Sequence, residues 1–339
     1  MHFRRAALAA ALLAPTSGVA QSSKFGQPFA PIILLLPSDP RALAMGNTGV
    51  ASRDDAVLFF NPAQLAIARG FSGSFEHYSS TAAGGTLSAV TRFSTGGIAV
   101  GMRMVDYEMP DEVFPANPGS MLPAGPAFGT SLEASVGLAQ VIKGVRIGGA
   151  AKYVEDNVPT TRVSRAAFDV GLSKDFFRFY TVGLAVQNIG KSMTIPCSFK
   201  AESVTDCTVP PSPPGGSSPL FTTANLPLRT TLGVAAGRPL GELDVVATAA
   251  VSMIRTDFVS PSGGVEVGYS WLDGYSVAVR GGARRPFPGE TPFTAGAGFT
   301  MDRLSIDYAV EALHATQFSN LGAAQTTTHI AHRIGLRIR

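Results

Sequence analysis

Charge is what this sequence has least of. Asp, Glu, Lys and Arg together supply 15% of 339 residues, and the formal net charge is only +3. A soluble globular chain carries charge on about a quarter of its residues, so this one is poorly suited to water. A net charge this small and dispersed also excludes a nucleic-acid partner, which needs a concentrated basic patch. Long apolar runs are missing as well. Past the N-terminus no stretch reaches the roughly eighteen consecutive apolar residues that a spanning helix requires, which excludes transmembrane helices. Yet the chain is apolar on average, with a mean hydropathy of +0.20, and it holds 37 glycines. A closed β-barrel is the only other structure that satisfies its backbone in lipid, and this composition fits one.

Histidine and cysteine are equally sparse. The histidines are His2, His77, His314, His329 and His332. His329 and His332 stand three apart, on opposite faces of a strand, so no zinc site is expected. No Ser/His/acid grouping has supporting spacing. Gly281-Gly282 and Gly296–Gly298 lie inside strand-like text, without the strand–turn–helix setting of a nucleotide loop. Asp54 and Asp55 are two adjacent carboxylates, short of the oxygen set that Ca²⁺ needs. The chain therefore reads as a non-enzyme with no metal and no cofactor. Its two cysteines, Cys197 and Cys207, share a Pro/Gly/Ser-rich loop. Outside the cytoplasm such a pair is expected to form a disulfide.

The N-terminus points outside the cytoplasm. Met1–Arg5 carries Arg4 and Arg5, Ala6–Ala14 is apolar, and Gly18-Val19-Ala20 ends in a small residue. That order is a signal peptide over residues 1–20. Residues 21–66 then form an extension and plug, and 67–339 the barrel. Ile32–Leu36 is too short to span a membrane and is expected to pack on the plug or the wall. The stretch from Asp39 to Ala66 reads DPRALAMGNTGVASRDDAVLFFNPAQLA. Gly46 and Gly49 permit tight turns, Ser52–Asp55 can cap a short helical turn near Ala56, and Asn61-Pro62 is a turn dipeptide. Short turns fit this text better than a strand does.

The same stretch resembles the N-terminal segment of FadL-type and PorV/PorQ-type outer-membrane proteins. Their "A-x-x-D-D-A" step followed by "N-P-A" is matched by Ala51, Asp54, Asp55 and Ala56, then Asn61, Pro62 and Ala63. The resemblance implies a barrel of the bacterial outer membrane with Arg41, Gly46, Gly49, Asp54, Asp55, Asn61, Pro62 and Ala63 in its plug. It also implies lipid neighbours and assembly by the barrel-assembly machinery.

From Phe71 the pattern changes to period two. Fourteen strands are expected, near 71–79, 84–93, 97–108, 128–142, 144–155, 163–174, 178–189, 226–238, 242–254, 262–271, 274–284, 292–301, 303–313 and 328–338. Ile98, Val100, Met102 and Met104 share one face; so do Leu304, Ile306, Tyr308 and Val310, and Ile330, Ile334, Leu336 and Ile338. A soluble sandwich also alternates, but it has no reason to sort its loops. Here the connections after odd-numbered strands are mostly long and those after even-numbered strands tight. An antiparallel outer-membrane barrel with both termini in the periplasm has that rhythm. Arg339 departs from the aromatic common at the end of such chains.

The face opposite the apolar one carries charges of both signs. Arg103, Glu133, Arg146, Lys152, Asp169, Arg229, Asp244, Arg280, Asp307, Glu311 and Arg333 are expected to point into the lumen. Buried charges must be paired or hydrated, so a network gripping the plug through Arg41, Asp54 and Asp55 is expected. The FadL resemblance implies uptake of hydrophobic small molecules, captured near Phe114, Met121, Leu122 and Phe128. The PorV/PorQ resemblance implies instead a partner for an exported protein, docked on the loop at Pro210–Pro219.

Overall fold

Period-two text becomes a wall when alternate side chains find lipid on one side and a filled lumen on the other. The computed structural model describes residues 31–53, 55–109, 127–158, 161–177, 179–194, 223–255, 258–287, 290–318 and 324–338. The signal peptide, both cysteines, Phe114, Met121, Leu122, Pro210–Pro219 and Asp54 lie outside them.

The strands are β1 (Gly70–Ser79), β2 (Ala82–Phe93), β3 (Gly96–Met109), β4 (Ala127–Ile142), β5 (Val145–Val158), β6 (Thr161–Phe176), β7 (Tyr180–Ile189), β8 (Met193–Thr194), β9 (Thr223–Ala224), β10 (Arg229–Leu240), β11 (Leu243–Ile254), β12 (Phe258–Leu272), β13 (Tyr275–Arg284), β14 (Glu290–Met301), β15 (Leu304–Phe318) and β16 (Ala324–Ile338). All but β8 and β9 form one closed antiparallel barrel of fourteen strands. Each strand pairs with its neighbour in the chain; β7 pairs with β10, and β16 closes the ring on β1 with Phe75 opposite Ile334. β8 and β9 pair with each other in the connection between β7 and β10, an element the periodicity did not show.

The expected apolar faces point outward. Val100, Met102, Phe75, Leu138, Val279 and Ile334 are all exposed on the barrel's exterior, as a lipid-facing belt requires. On the side of the termini the turns are tight, at 94–95, 143–144, 177–179, 241–242, 273–274 and 302–303. Lys143 and Gly144 both have positive φ, 49° and 78°, the mirror-image turn that matches the right-handed twist of a hairpin.

The opposite side differs from expectation. The connections at 110–126 and 190–228 are long, but those at 80–81, 159–160 and 255–257 are as short as the turns across the barrel. Pairing simply continues beyond the apolar belt. In β15 and β16 it reaches Gln317 opposite Gln325, past the expected ends at 313 and 328. β12 likewise begins at Phe258 and runs through Pro261, which sits opposite Val251. Proline removes a donor, but its carbonyl still accepts from the Arg285 N–H at 2.9 Å.

Candidate functional site

Within the barrel, residues 31–69 occupy the lumen as a string of short turns. Ile32–Leu34 is a 3-10 turn, and α1 spans Pro40–Ala44. Asp39 caps α1 by accepting from the Ala42 N–H at 2.7 Å, and Pro40 takes the first helical position, where its missing N–H costs nothing. The helix stops at Gly46 (φ 73°), with the Asn47 N–H returning to the Ala42 carbonyl at 2.7 Å, a Schellman-type end. Further 3-10 turns follow at Gly49–Ala51, Asp55–Phe59 and Pro62–Ala66.

The inner wall is cut to fit them. A Cβ at Gly171 would overlap Asn61 Oδ1, one at Gly148 the Pro62 carbonyl, and one at Gly282 the Met45–Gly46 backbone. Glycine at these inward positions lets two backbones approach directly. Asn61 is fully buried and caps the Pro62 turn through the Ala63 N–H at 3.1 Å. Its amide donates to the carbonyls of Val50 (2.9 Å) and Leu172 (3.2 Å), tying two plug turns to β6. Gly49 faces the Phe60 ring.

Charge supplies the other grip. Arg103 and Lys152 share Glu133 at 3.2 and 3.1 Å, and Lys152 also pairs with Asp169 at 2.8 Å. Arg103 donates to the carbonyls of Leu36 (2.7 Å) and Pro37 (3.2 Å), so this cluster holds the plug's entry. Arg41 binds Glu266 with two bonds, at 2.8 and 2.7 Å. Glu266 also takes Arg280, which pairs with Asp307 at 2.6 Å, and Asp307 takes Arg337. In a third cluster Glu311 receives Arg284 at 2.6 Å and Arg333 at 2.9 Å. Arg333 is 1% exposed and lies over the Tyr78 ring. Arg146 and Arg53 share Asp175 at 2.7 and 2.9 Å.

These clusters correct the sequence reading in several places. Asp244 has the inward register but is exposed at the tight-turn rim and forms no ion pair among the described residues. Arg229 points inward with its Nε buried and without a partner there. Of Asp55 only the backbone is described, so of the three plug charges expected to grip the wall the partner of Arg41 is seen; Arg53, not expected there, adds its pair with Asp175. Phe128 lies on the outer face of β4, 59% exposed, because even-numbered residues of that strand face lipid. Glu266, Arg284 and Arg337 are additions. Each has the inward parity of its strand, and that signal was available.

On the loop side the lumen is apolar. Ile33 and Leu34 pack with Tyr78, Val105, Val154, Val163, Met193 and Leu226. Val154 and Val163 flank the 159–160 connection, and Met193 and Leu226 belong to the long connection beside β8 and β9. The Ile33 N–H donates to the Ser131 hydroxyl at 3.4 Å and ties the plug segment to β4 here.

The two sides of the wall meet the plug differently. Inward residues of β4 from Gly129 to Ala139 are all buried, as are most of those on β6 and β7. On β11 to β14 the inward residues Val246, Thr248, Gly268, Ala278, Gly296 and Gly298 are only half-buried.

No family model matches the chain, and no curated protein matches it in sequence. Its fold does match solved structures. One is a toluene transporter, TodX, of Pseudomonas putida, with a TM-score of 0.57 at 13% identity over 89% of this chain and 98% of that one. Another is a FadL homologue of Pseudomonas aeruginosa, with a TM-score of 0.53 at 10% identity over 92% and 98%. A third is the CymD monoaromatic hydrocarbon channel, with a TM-score of 0.55 at 12% identity over 90% and 98%. The chain has the fold of a FadL-type barrel of the bacterial outer membrane. These likenesses are of fold, and the structures named lend no support to docking of an exported protein.

Proposed function

We propose that the protein is an outer-membrane channel for small hydrophobic molecules, closed at rest by its own residues 31–69. The observation that carries this reading is the apolar cluster on the loop side, where Ile33 and Leu34 sit among inward-facing side chains of the wall and of the long connection. Such a cluster offers an arriving apolar molecule about 25 cal/mol for each Å² removed from water. Beneath it residues 31–69 fill most of the lumen, so passage requires the plug to yield or to be bypassed. Two of the structures that share its fold, a toluene transporter and a monoaromatic hydrocarbon channel, point to cargo of the same class. The buried charges serve the plug rather than a reaction, since the carboxylates Glu133, Asp169, Glu266, Asp307 and Glu311 are all engaged by cations.

Single-channel conductance in planar bilayers tests closure. The intact chain is expected to be silent, and a deletion of residues 39–66 to conduct steadily. Equal conductance of both would sink the plug reading. Cells carrying the protein in their outer membrane should then take up small aromatic hydrocarbons faster than cells without it.

A further inference from the structure

The two rims of the barrel carry charge differently. At the tight-turn rim both signs are exposed together, with Lys143, Arg238 and Arg303 among Glu242, Asp244 and Asp302. At the loop-side rim over β7 and β10–β13, the exposed charges among the described residues are all positive. Lys191 follows the exposed Ile189, Arg255 the exposed Met253, and Arg285 the outward line of Val279, Gly281 and Ala283. On each of these strands the next outward position above the apolar belt is therefore a cation. β7 and β10–β13 hold two carboxylates, Asp244 at the opposite rim and Glu266 inside the lumen. None of the three cations forms an ion pair among the described residues. From Leu243 to Arg255 the chain advances twelve residues along β11. At about 3.3 Å per residue and a tilt of about 40°, that is roughly 30 Å across the membrane, the thickness of its hydrocarbon core. The cations thus stand at the level of the outer headgroups.

We propose that this edge binds the phosphorylated headgroup of lipopolysaccharide in the outer leaflet. One strand separates β7 from β11, and one separates β11 from β13, which sets neighbouring cations about 10 Å apart. A row of like charges without counterions favours a partner that brings more than one negative charge. Arg285 is already positioned: its guanidinium donates to the Val259 carbonyl at 3.2 Å and lies over the Phe258 ring. Its remaining donors are left for phosphate oxygens. The acyl chains of the same lipid lie below, against Ile189, Met253 and Val259, all exposed on the outer face. The assignment needs the barrel in its outer membrane and nothing of the channel reading above.

The test uses bisphosphorylated lipid A as probe, in mixed detergent micelles with the full chain, and native mass spectrometry counts the bound lipid. A basic residue at a membrane surface is worth about fivefold in affinity for an anionic lipid. Lys191→Gln, Arg255→Gln and Arg285→Gln together should therefore weaken binding on the order of a hundredfold. Lys143→Gln, Arg238→Gln and Arg303→Gln together, at the opposite rim, should leave it unchanged. Heat-dependent gel mobility reports that both variant barrels have formed. Lipid A stripped of its phosphates should bind the wild type as weakly as the intact lipid binds the loop-side variant, a comparison that needs no substitution. Inorganic phosphate in millimolar excess should not displace the lipid. Equal binding by wild type and loop-side variant overturns the proposal, as does equal binding of the stripped lipid or an equal loss at the opposite rim. Displacement by inorganic phosphate would mark an anion site without a lipid and overturns it too. None of these outcomes bears on conductance, so the lipid edge and the channel stand or fall separately.

Discussion

Strands β4–β7 and β11–β14 are made from the same alternating pattern, yet they hold the plug by different means. Against β4–β7 the contact is close and mostly uncharged at its centre: glycines at 137, 148, 171 and 183 receive Leu58, Pro62, Asn61 and Val50. Against β11–β14 close packing is confined to α1 and its end, where Ala44, Met45 and Gly46 lie over Gly296, Gly264 and Gly282; beyond it the plug is held by the two bonds of Arg41 to Glu266 and by a hydroxyl contact, and space remains beside Ala235 and Val246. Close packing resists any change of volume, because interiors are already near crystal density. An ion pair beside a cavity tolerates movement, since a long side chain can follow its partner. One side of the plug is therefore seated along its length, and the other is seated at Ala44–Gly46 and leashed beside the cavity.

Variants can break or sharpen that contrast. The largest effect is expected from Glu133→Gln, which leaves Lys152 buried with Asp169 alone and Arg103 buried with no ion-pair partner among the described residues. Removing one partner of a buried pair costs about 3–5 kcal/mol, and the urea midpoint for unfolding in micelles should drop accordingly. Asp244→Asn, at the exposed rim, should change the stability by less than about 0.5 kcal/mol. Next comes Gly171→Val on the seated side, where the new side chain meets Asn61; overpacking costs about 1–3 kcal/mol. Gly237→Val on the leashed side should stay within about 0.5 kcal/mol, and equal losses in the two would dissolve the comparison. Asn61→Ala should cost about 1–2 kcal/mol by removing a cap and leaving two buried carbonyls short of a donor. Least is expected of Arg53→Gln: its pair with Asp175 is half-exposed at 51% and 36%, such pairs are worth under about 1 kcal/mol, and the difference should vanish in high salt.

The wall was legible because its cause is local. Period two follows from the pleat, and a residue such as Val100 or Ile306 reports its own side without knowledge of its neighbours. The turns of the plug were legible for a similar reason, since Gly46 and Asn61-Pro62 each constrain their own backbone. Pairing was not. Arg41 meets Glu266 across more than two hundred residues of chain, and nothing in either residue's surroundings names the other. Parity placed Arg229 and Asp244 in the lumen alongside Arg280, but depth along the strand decides which of them is enclosed. The strand ends failed where pairing outlasts the apolar belt, as with Thr316 and Thr326, because polar residues above the membrane look like loop in sequence. The unequal seating of the plug needs both surfaces at once, and neither segment encodes it alone.

β16 has two duties. It completes the ring by pairing with β1, and it secures the plug, with Arg333 donating to the Pro37 carbonyl at 3.4 Å and Gly335 lying under Pro40. In synthesis it follows every other strand of the ring. Sealing thus comes with the last plug contacts, and a chain truncated before β16 would present an unzipped sheet whose stopper lacks the hold of Arg333 and Gly335.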